Sequence, residues 1–380
     1  MPSQPKVTVI LTSYNHAKYL RESIESILLQ TYADFDLIIG DDASSDNSWD
    51  IIKSYDDPRI RSFRHEKTKG GFIINEAISD METGMYIAIQ HSDDIWEPDK
   101  LEKQVAFLDE NPEVGAVFTW AKIVDEYGSL LMDKNHFYYN IFDQPNRSRY
   151  EWLNYFFDKG NALCHPSVLI RKKCYEECGV YRPGLTQAGD FDMWIRVALK
   201  YKLYILQDRL VRFRVRQNDL NSSGDRPSTR VRGQFEYLQL LNHYRKIHDF
   251  ETLKKIFPEA EGYERNGQED IGFILGIIAT SKSRHAFTTL FGLNLLFEAI
   301  NDPVRADKIK RLYGFSQLKF IELTAKYDVF SVEKIKMLNN LITQRDEELT
   351  GIKDSKAWQM IENLRVFRAF VMRSNRIKSE

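Results

Sequence analysis

Apolar and polar positions over the first 125 residues alternate between two periods. Residues 7–11 (VTVIL) form an unbroken β-branched and apolar run, bounded by Pro5 before it and by Ser13, Tyr14 and Asn15 after it, as expected of a strand buried on both faces. Over residues 16–32, Leu20, Ile24, Ile27 and Leu28 recur at helical spacing. The alternation then repeats. Strands are predicted at 37–39, 59–64, 85–90 and 116–123. Helices are predicted from a Ser45 or Asp46 cap to about Tyr55, over 72–82, and from Pro98 to about Leu108. Such an order predicts an α/β fold, a Rossmann-like and mostly parallel sheet with right-handed crossovers and helices on both faces.

Beyond about residue 230 only helical periodicity remains, over 231–247, 268–280, 286–299 and 308–327, with breaks at Pro258, Gly262 and Pro303. This predicts an α/β domain over 1–225, an all-α domain over 226–330 and a helical segment over 331–380. In that segment Ile335, Leu338, Ile342, Leu349 and Ile352 fall on an a/d seam with Arg345 at a core position, which fits a short coiled coil or packing on the chain's own helices. The tail, 355–380, sets Lys356, Arg365, Arg368, Arg373, Arg376 and Lys378 against Glu362 and Glu380, beside Trp358, Ile361, Leu364, Phe367, Phe370 and Val371. A basic amphipathic helix of this kind either lies at an anionic membrane surface or docks on the helical domain.

At 380 residues with 43% hydrophobic and 28% charged positions, the chain has the apolar material for proper cores and is not a disordered one. Its 53 Lys and Arg against 55 Asp and Glu leave a net charge of −2, so nothing global draws it to nucleic acid. Three cysteines, Cys164, Cys174 and Cys178, are too few for a stapled secreted scaffold and complete no zinc spacing. They read as buried thiols in a reducing compartment. No apolar run reaches the 18 or so residues of a spanning helix, and no leader pattern opens the chain, so the expectation is a cytoplasmic protein, with attachment at the inner face of the cytoplasmic membrane left open.

In an open parallel sheet, chemistry gathers at the carboxyl ends of the strands. Here the first strand ends in Thr12, Ser13, Tyr14 and Asn15, the second in Asp41 and Asp42, and the fourth in His91, Ser92, Asp93 and Asp94. Asp41 and Asp42 followed by Ser44, Ser45 and Asp46 also suit a turn and helix cap, and Asp93 and Asp94 suit a turn before a proline-started helix. Two acidic strand ends in one crevice, however, repel each other unless a cation sits between them, and a divalent metal with oxygen ligands relieves that repulsion.

These segments, together with Gln30, Thr31 and Tyr32 and the run from Asp93 through Trp96 and Pro98 to Asp99, resemble family two of the inverting glycosyltransferases, with the GT-A fold, of the type that assembles bacterial polysaccharides. The resemblance covers about residues 7–223. It implies that Thr12, Tyr14 and Asp42 hold the uridine-type nucleoside of a nucleotide-diphosphate sugar of UDP type, an aromatic ring and a carboxylate suiting a base. It assigns Asp94 to Mg²⁺ or Mn²⁺ on the diphosphate and Asp93 to the ribose or sugar. Relatives often carry a further aspartate where this chain has His91, so the imidazole either joins the metal or only packs in the crevice. Lys69 and Asn75 stand where the family places a nucleotide-contacting segment.

On the acceptor side, Asp190, six residues before Arg196, meets the spacing of the family's catalytic base. Gly189 replaces the more usual glutamate. Asp192 competes, but lies about 200° from Asp190 on a helix, so only one of them faces the crevice. An inverting transfer needs one carboxylate base, opposite the leaving group. His165, in the segment 161–167, lines the acceptor side in this reading or is structural. Arg216 stands where many relatives have histidine, in the segment 212–222 that closes over the diphosphate, and binds phosphate without being a metal ligand.

The reading is a metal-dependent transferase moving a sugar to a hydroxyl of a glycan or lipid-linked glycan. A homo-oligomer is left open. The rival, a non-catalytic nucleotide-sugar binder or scaffold, gains from the departures at His91, Gly189 and Arg216, and donor turnover discriminates the two. A nucleotidyltransferase is disfavoured because residues 12–16 contain no glycine.

Overall fold

The computed structural model describes residues 5–70, 73–217, 221, 223–282 and 285–377. Eight strands make one sheet: β1 (Val7–Ser13), β2 (Phe35–Asp41), β3 (Ile60–Arg64), β4 (Tyr86–His91), β5 (Ile95–Trp96), β6 (Val114–Val124), β7 (Leu169–Arg171) and β8 (Lys202–Arg214), in the order β3-β2-β1-β4-β7-β6-β8-β5. β1 to β4 are parallel to their neighbours in that group, with Val7 opposite both Phe35 and Tyr86. β7 is antiparallel to β4 and β6, and β5 to β8. The mostly parallel sheet thus carries two antiparallel strands of three and two residues, too short to leave a period in the sequence. Residues 95 and 96, where the sequence predicts no strand, are one of them.

The parallel strands are joined by α1 (Ala17–Leu28), α2 (Ser48–Lys53) and α3 (Ile73–Asp80), and α4 (Lys100–Glu110) leads into β6. Leu20, Ile24 and Ile27, the apolar stripe of α1, are fully buried in one cluster with Val9, Leu11, Leu37 and Ile39. Each such side chain contributes roughly 1.5–3 kcal/mol by leaving water. α5 (Arg149–Lys159), α6 (Lys172–Cys178) and α7 (Gly189–Ala198) lie between β6 and β8 in sequence. Then follow α8 (Pro227–Leu241), α9 (Phe250–Ile256), α10 (Ile271–Lys282), α11 (Ala286–Asn301) and α12 (Pro303–Tyr313).

The change from strands to helices falls between Arg214 and Pro227, whereas compactness divides the chain between Gly314 and Phe315. The helices through α12 belong to the same unit as the sheet. The second unit contains α13 (Gln317–Lys326), α14 (Val332–Asp354) and α15 (Lys356–Ile377). The single helix expected over 308–327 is broken at this boundary. Gly314 is left-handed (φ 61°, ψ 21°) and ends α12, and Ser316 caps α13 by accepting the Lys319 N–H. The a/d seam lies in α14, where Arg345 pairs with Glu348 of its own helix at 2.8 Å. In the tail, Lys378 and Glu380 lie outside the described residues, as do Phe72, residues 218–220 and Ser222, and the side chains from 370 onward are not described.

Cys164 and Cys174 are buried, Cys178 is half-buried, and all three are free thiols. Among the described residues no helix is long and apolar enough to cross a membrane. Gly84 precedes β4 where a Cβ would stand 2.6 Å from the carbonyl oxygens of both Pro5 and Lys6. Backbone cannot yield as a side chain can. Gly84→Ala is therefore expected to cost about 1–3 kcal/mol in urea unfolding, against about 0.5 kcal/mol or less for Gly262→Ala, whose Cβ would meet nothing within 4 Å. Equal stability of the two variants would contradict the close approach.

Candidate active site

β1 lies between β2 and β4, and the chain reverses its travel across the sheet there, so the carboxyl ends of β1 and β4 flank a switch-point crevice. Two turns are laced together at its rim. The N–H groups of Asn15, His16 and Ala17 donate to Ser44 Oγ (2.9 Å), Ser48 Oγ (3.2 Å) and Asp46 Oδ2 (2.9 Å), and the Asn15 side chain accepts the Ser45 N–H at 2.8 Å. The N-cap of α2 is Asn47, not the expected Ser45 or Asp46. The polar run after β2 therefore spends its hydroxyls on the neighbouring turn.

Asp41 closes its own turn, accepting from Ser44 N–H (2.9 Å) and Oγ (2.6 Å). Asp42 holds the loop after β3. It accepts from Thr68 Oγ1 (2.8 Å), Lys69 N–H (2.8 Å) and Gly70 N–H (3.1 Å), and lies 2.7 Å from His65 Nδ1. Lys69, expected to face phosphate, pairs instead with Glu76 at 2.6 Å, which also meets His65 Nε2 at 2.6 Å. Asn75, expected at the nucleotide, has both ends of its amide on the Tyr181 backbone, at 2.7 and 3.0 Å. In the structure both side chains are thus engaged within the protein. Thr12 is half-buried at the end of β1, and Tyr14 is 49% exposed at the rim.

At the end of β4, His91, Asp93 and Asp94 each offer one ligand atom, and these atoms lie within 4.8 Å of one another. Asp94 is buried. One of its oxygens accepts the Arg214 N–H (2.8 Å) and the other lies 3.6 Å from His91 Nδ1, while Arg214 Nε donates to the Asp93 carbonyl at 2.8 Å. β8 thus pins the acidic turn from across the sheet. Burial pushes Asp94 up to about 6. Burial also opposes a charge on His91, but its bond to Asp94 and the charges of Asp94, Asp93 and Asp190 outweigh it and raise its pKa. Arg216 Nε lies 3.3 Å from the Asp93 carboxylate and its Nη1 lies 2.8 Å from His16 Nε2, whose own Nδ1 is 2.8 Å from Ser92 Oγ. Two carboxylates and an imidazole at this spacing fit a divalent ion with ligand distances of roughly 2.1 Å, after a small inward movement.

Asp190 stands at the start of α7. Asn161 Nδ2 donates to its Oδ2 (2.9 Å) and the Phe191 N–H to its Oδ1 (2.7 Å). Burial raises its pKa, and those donors together with the charge of His91 moderate the rise. Asp192 is fully buried, paired with Arg196 (2.8 Å), with His243 Nε2 (2.6 Å) and with Arg182. The charge of Asp190 acts on His91, whereas the Asp192 carboxylate is taken up by Arg196, His243 and Arg182. His165 Nδ1 lies 3.2 Å from His91 Nε2 and its Nε2 lies 2.9 Å from Tyr181 Oη. Burial, with the nearby His91, keeps His165 well below the ordinary histidine range, so it is neutral. At Gly189 an added Cβ would meet the Tyr181 ring alone, at 4.0 Å, so packing does not demand a glycine there. Asn161 comes from the segment 161–167 already read as the acceptor side, whereas Tyr181 and His16 enter the site through their contacts alone.

A sheet of this topology, with acidic strand ends at its switch point and a helical region after it, defines a GT-A α/β domain followed by an all-α part. The chain belongs to glycosyl transferase family 2, whose sequence model matches residues 8–177. It is 32% identical over 255 residues to MJ1057 of Methanocaldococcus jannaschii, described as an uncharacterized glycosyltransferase, with 65% of this chain and 82% of that protein covered. It is 28% identical over 224 residues to TuaG of Bacillus subtilis, whose name assigns it to teichuronic acid biosynthesis as a glycosyltransferase, with 58% and 83% covered. The fold is that of S. aureus TarS 1–349 in complex with UDP-GlcNAc, with a TM-score of 0.51, 16% identity and 81% of each chain covered. The protein is a glycosyltransferase.

Proposed function

We propose that the chain moves a sugar from a UDP-type nucleotide-diphosphate sugar to a hydroxyl of a glycan or lipid-linked glycan in surface polysaccharide assembly, with inversion. One observation carries this reading. The cluster of His91, Asp93 and Asp94 lies at the switch point within electrostatic reach of a second, separately held carboxylate, Asp190. The first set suits a diphosphate with its cation and the second an acceptor hydroxyl. TarS binding UDP-GlcNAc supports the donor class, and the biosynthetic name of TuaG supports the acceptor class.

In this mechanism Asp94 and His91, beside Asp93, would hold Mg²⁺ or Mn²⁺, which when bound would supply Lewis-acid charge for the departing diphosphate. Arg216 lies beside Asp93, where its guanidinium can meet a phosphate bidentately. Asp190, steadied by Asn161, takes the proton of the acceptor hydroxyl as that oxygen attacks. The basic tail over 355–380 supports contact with an anionic membrane surface, where a lipid-linked acceptor would lie.

A screen of nucleotide sugars with Mg²⁺, Mn²⁺ or EDTA tests the proposal. The expected result is that a UDP-sugar binds in the presence of the metal and is slowly hydrolysed. Binding without any turnover would favour a non-catalytic binder, and binding of no nucleotide sugar would overturn both readings.

A further inference from the structure

The helix that carries Asp190 begins without a cap of its own. The residue at its N-cap is Ala188, which has no side-chain acceptor. The three N–H groups leading into the helix, those of Thr186, Gln187 and Ala188, instead donate at 2.9, 2.8 and 2.8 Å to one carboxylate, that of Glu236. Glu236 lies about fifty residues further on, in α8, and is 1% exposed. A carboxylate at a helix N-terminus is favoured by the helix dipole as well as by the three bonds.

We infer that Glu236 is a positioning residue for the catalytic base, holding residues 186–188 so that Asp190 leaves the first turn of α7 toward His91. The inference rests on the proposed role of Asp190. Asp190 is bonded to Asn161 on one side and to the N–H of the residue after it on the other, and neither contact sets the direction of the chain that enters the helix. Glu236 sets it. The buried pair of His243 with Asp192, at 2.6 Å, holds the same helix from the segment that follows α8. The helices after the sheet are thus part of the base's support. A base displaced by about 1 Å loses on the order of a hundredfold in rate without loss of donor affinity.

The experiment uses the full chain with Mn²⁺, the UDP-sugar hydrolysed in the screen, and UDP as the binding probe. Glu236→Ala is expected to lower kcat for donor hydrolysis about a hundredfold, with UDP affinity unchanged and amide exchange at residues 186–188 accelerated. The double variant Glu236→Ala with Asp190→Asn is expected to be no slower than Asp190→Asn alone, because the two act as one unit. Wild-type hydrolysis by Glu236→Ala, or a loss of UDP affinity that matches the loss of rate, would overturn the inference. Should the alanine variant not fold, Glu236→Gln decides. It keeps one acceptor oxygen and loses the charge, and is expected to be about tenfold slower, with a wild-type rate counting against the inference. Full activity of Asp190→Asn alone would instead overturn the choice of base, and amide exchange at 186–188 in Glu236→Ala would still report whether the carboxylate holds that loop.

Discussion

Asp190→Asn is expected to lower sugar transfer by about 10²- to 10⁴-fold, the range of a lost general base, while UDP-sugar binding with metal persists and the melting temperature hardly changes. The amide fills the same space and still accepts from Phe191 or Asn161, but takes no proton. Two residues on, Asp192→Asn is expected to behave in the opposite way. Its carboxylate is fully buried, and although burial alone would raise its pKa, the bonds and charges of His243, Arg196 and Arg182 hold it below the usual range. Removing its charge strands the buried Arg196 guanidinium, at a cost of roughly 3–5 kcal/mol. A depressed pKa means that this stabilisation is present above the unfolded carboxylate value and is lost as pH falls through the folded one. Asp190 has the reverse sign. Its pKa is raised, chiefly by burial, so the ionised base is lost from the site at a higher pH than an exposed aspartate, and the acidic limb of kcat lies above the ordinary carboxylate range. Transfer at the wild-type rate by purified Asp190→Asn would sink the assignment.

The second large effect is expected at Asp94. Asp94→Ala should lower transfer by about 10²- to 10³-fold, the scale of losing one preorganised electrostatic partner, and should remove most of the difference that Mg²⁺ or Mn²⁺ makes to UDP binding. Asp94 is pushed up to about 6 by burial, and a metal ligand must be ionised. Metal-dependent UDP binding is therefore expected to strengthen as pH rises through about 6 in the wild type and to lose that dependence in the variant. Calorimetric titration of UDP at several pH values, with and without Mn²⁺, measures both. Metal-dependent affinity and pH profile unchanged in Asp94→Ala would move the cation to other groups.

The parts of this architecture that were legible in the sequence are those written by near neighbours. The run over residues 7–11 and the stripe of Leu20, Ile24 and Ile27 mark β1 and α1 because burial selects apolar residues at the period of each element. Paired acidic residues after such strands mark the crevice because two carboxylates side by side are costly without a cation. Less legible were β5 and β7, whose two and three residues carry no period, and the end of α12, where the left-handed Gly314 breaks a pattern that otherwise continues into α13.

Position along the chain also says nothing of the contacts at two residues. Lys69 and Asn75 lie in the right segment, yet Glu76 and the Tyr181 backbone take up their polar atoms. The sequence alone determined the kind of elements, the mostly parallel order of the first four strands and the acidic crevice. Only tertiary structure gave Asp192 to Arg196 and His243 and Asp190 to Asn161, brought His165 against His91, and placed Glu236 under the loop before α7. The physical reason is range: periodicity and turn chemistry act over a few residues, whereas the partners that orient a buried carboxylate come from 29 residues away for Asn161, 51 for His243 and 120 for Arg214.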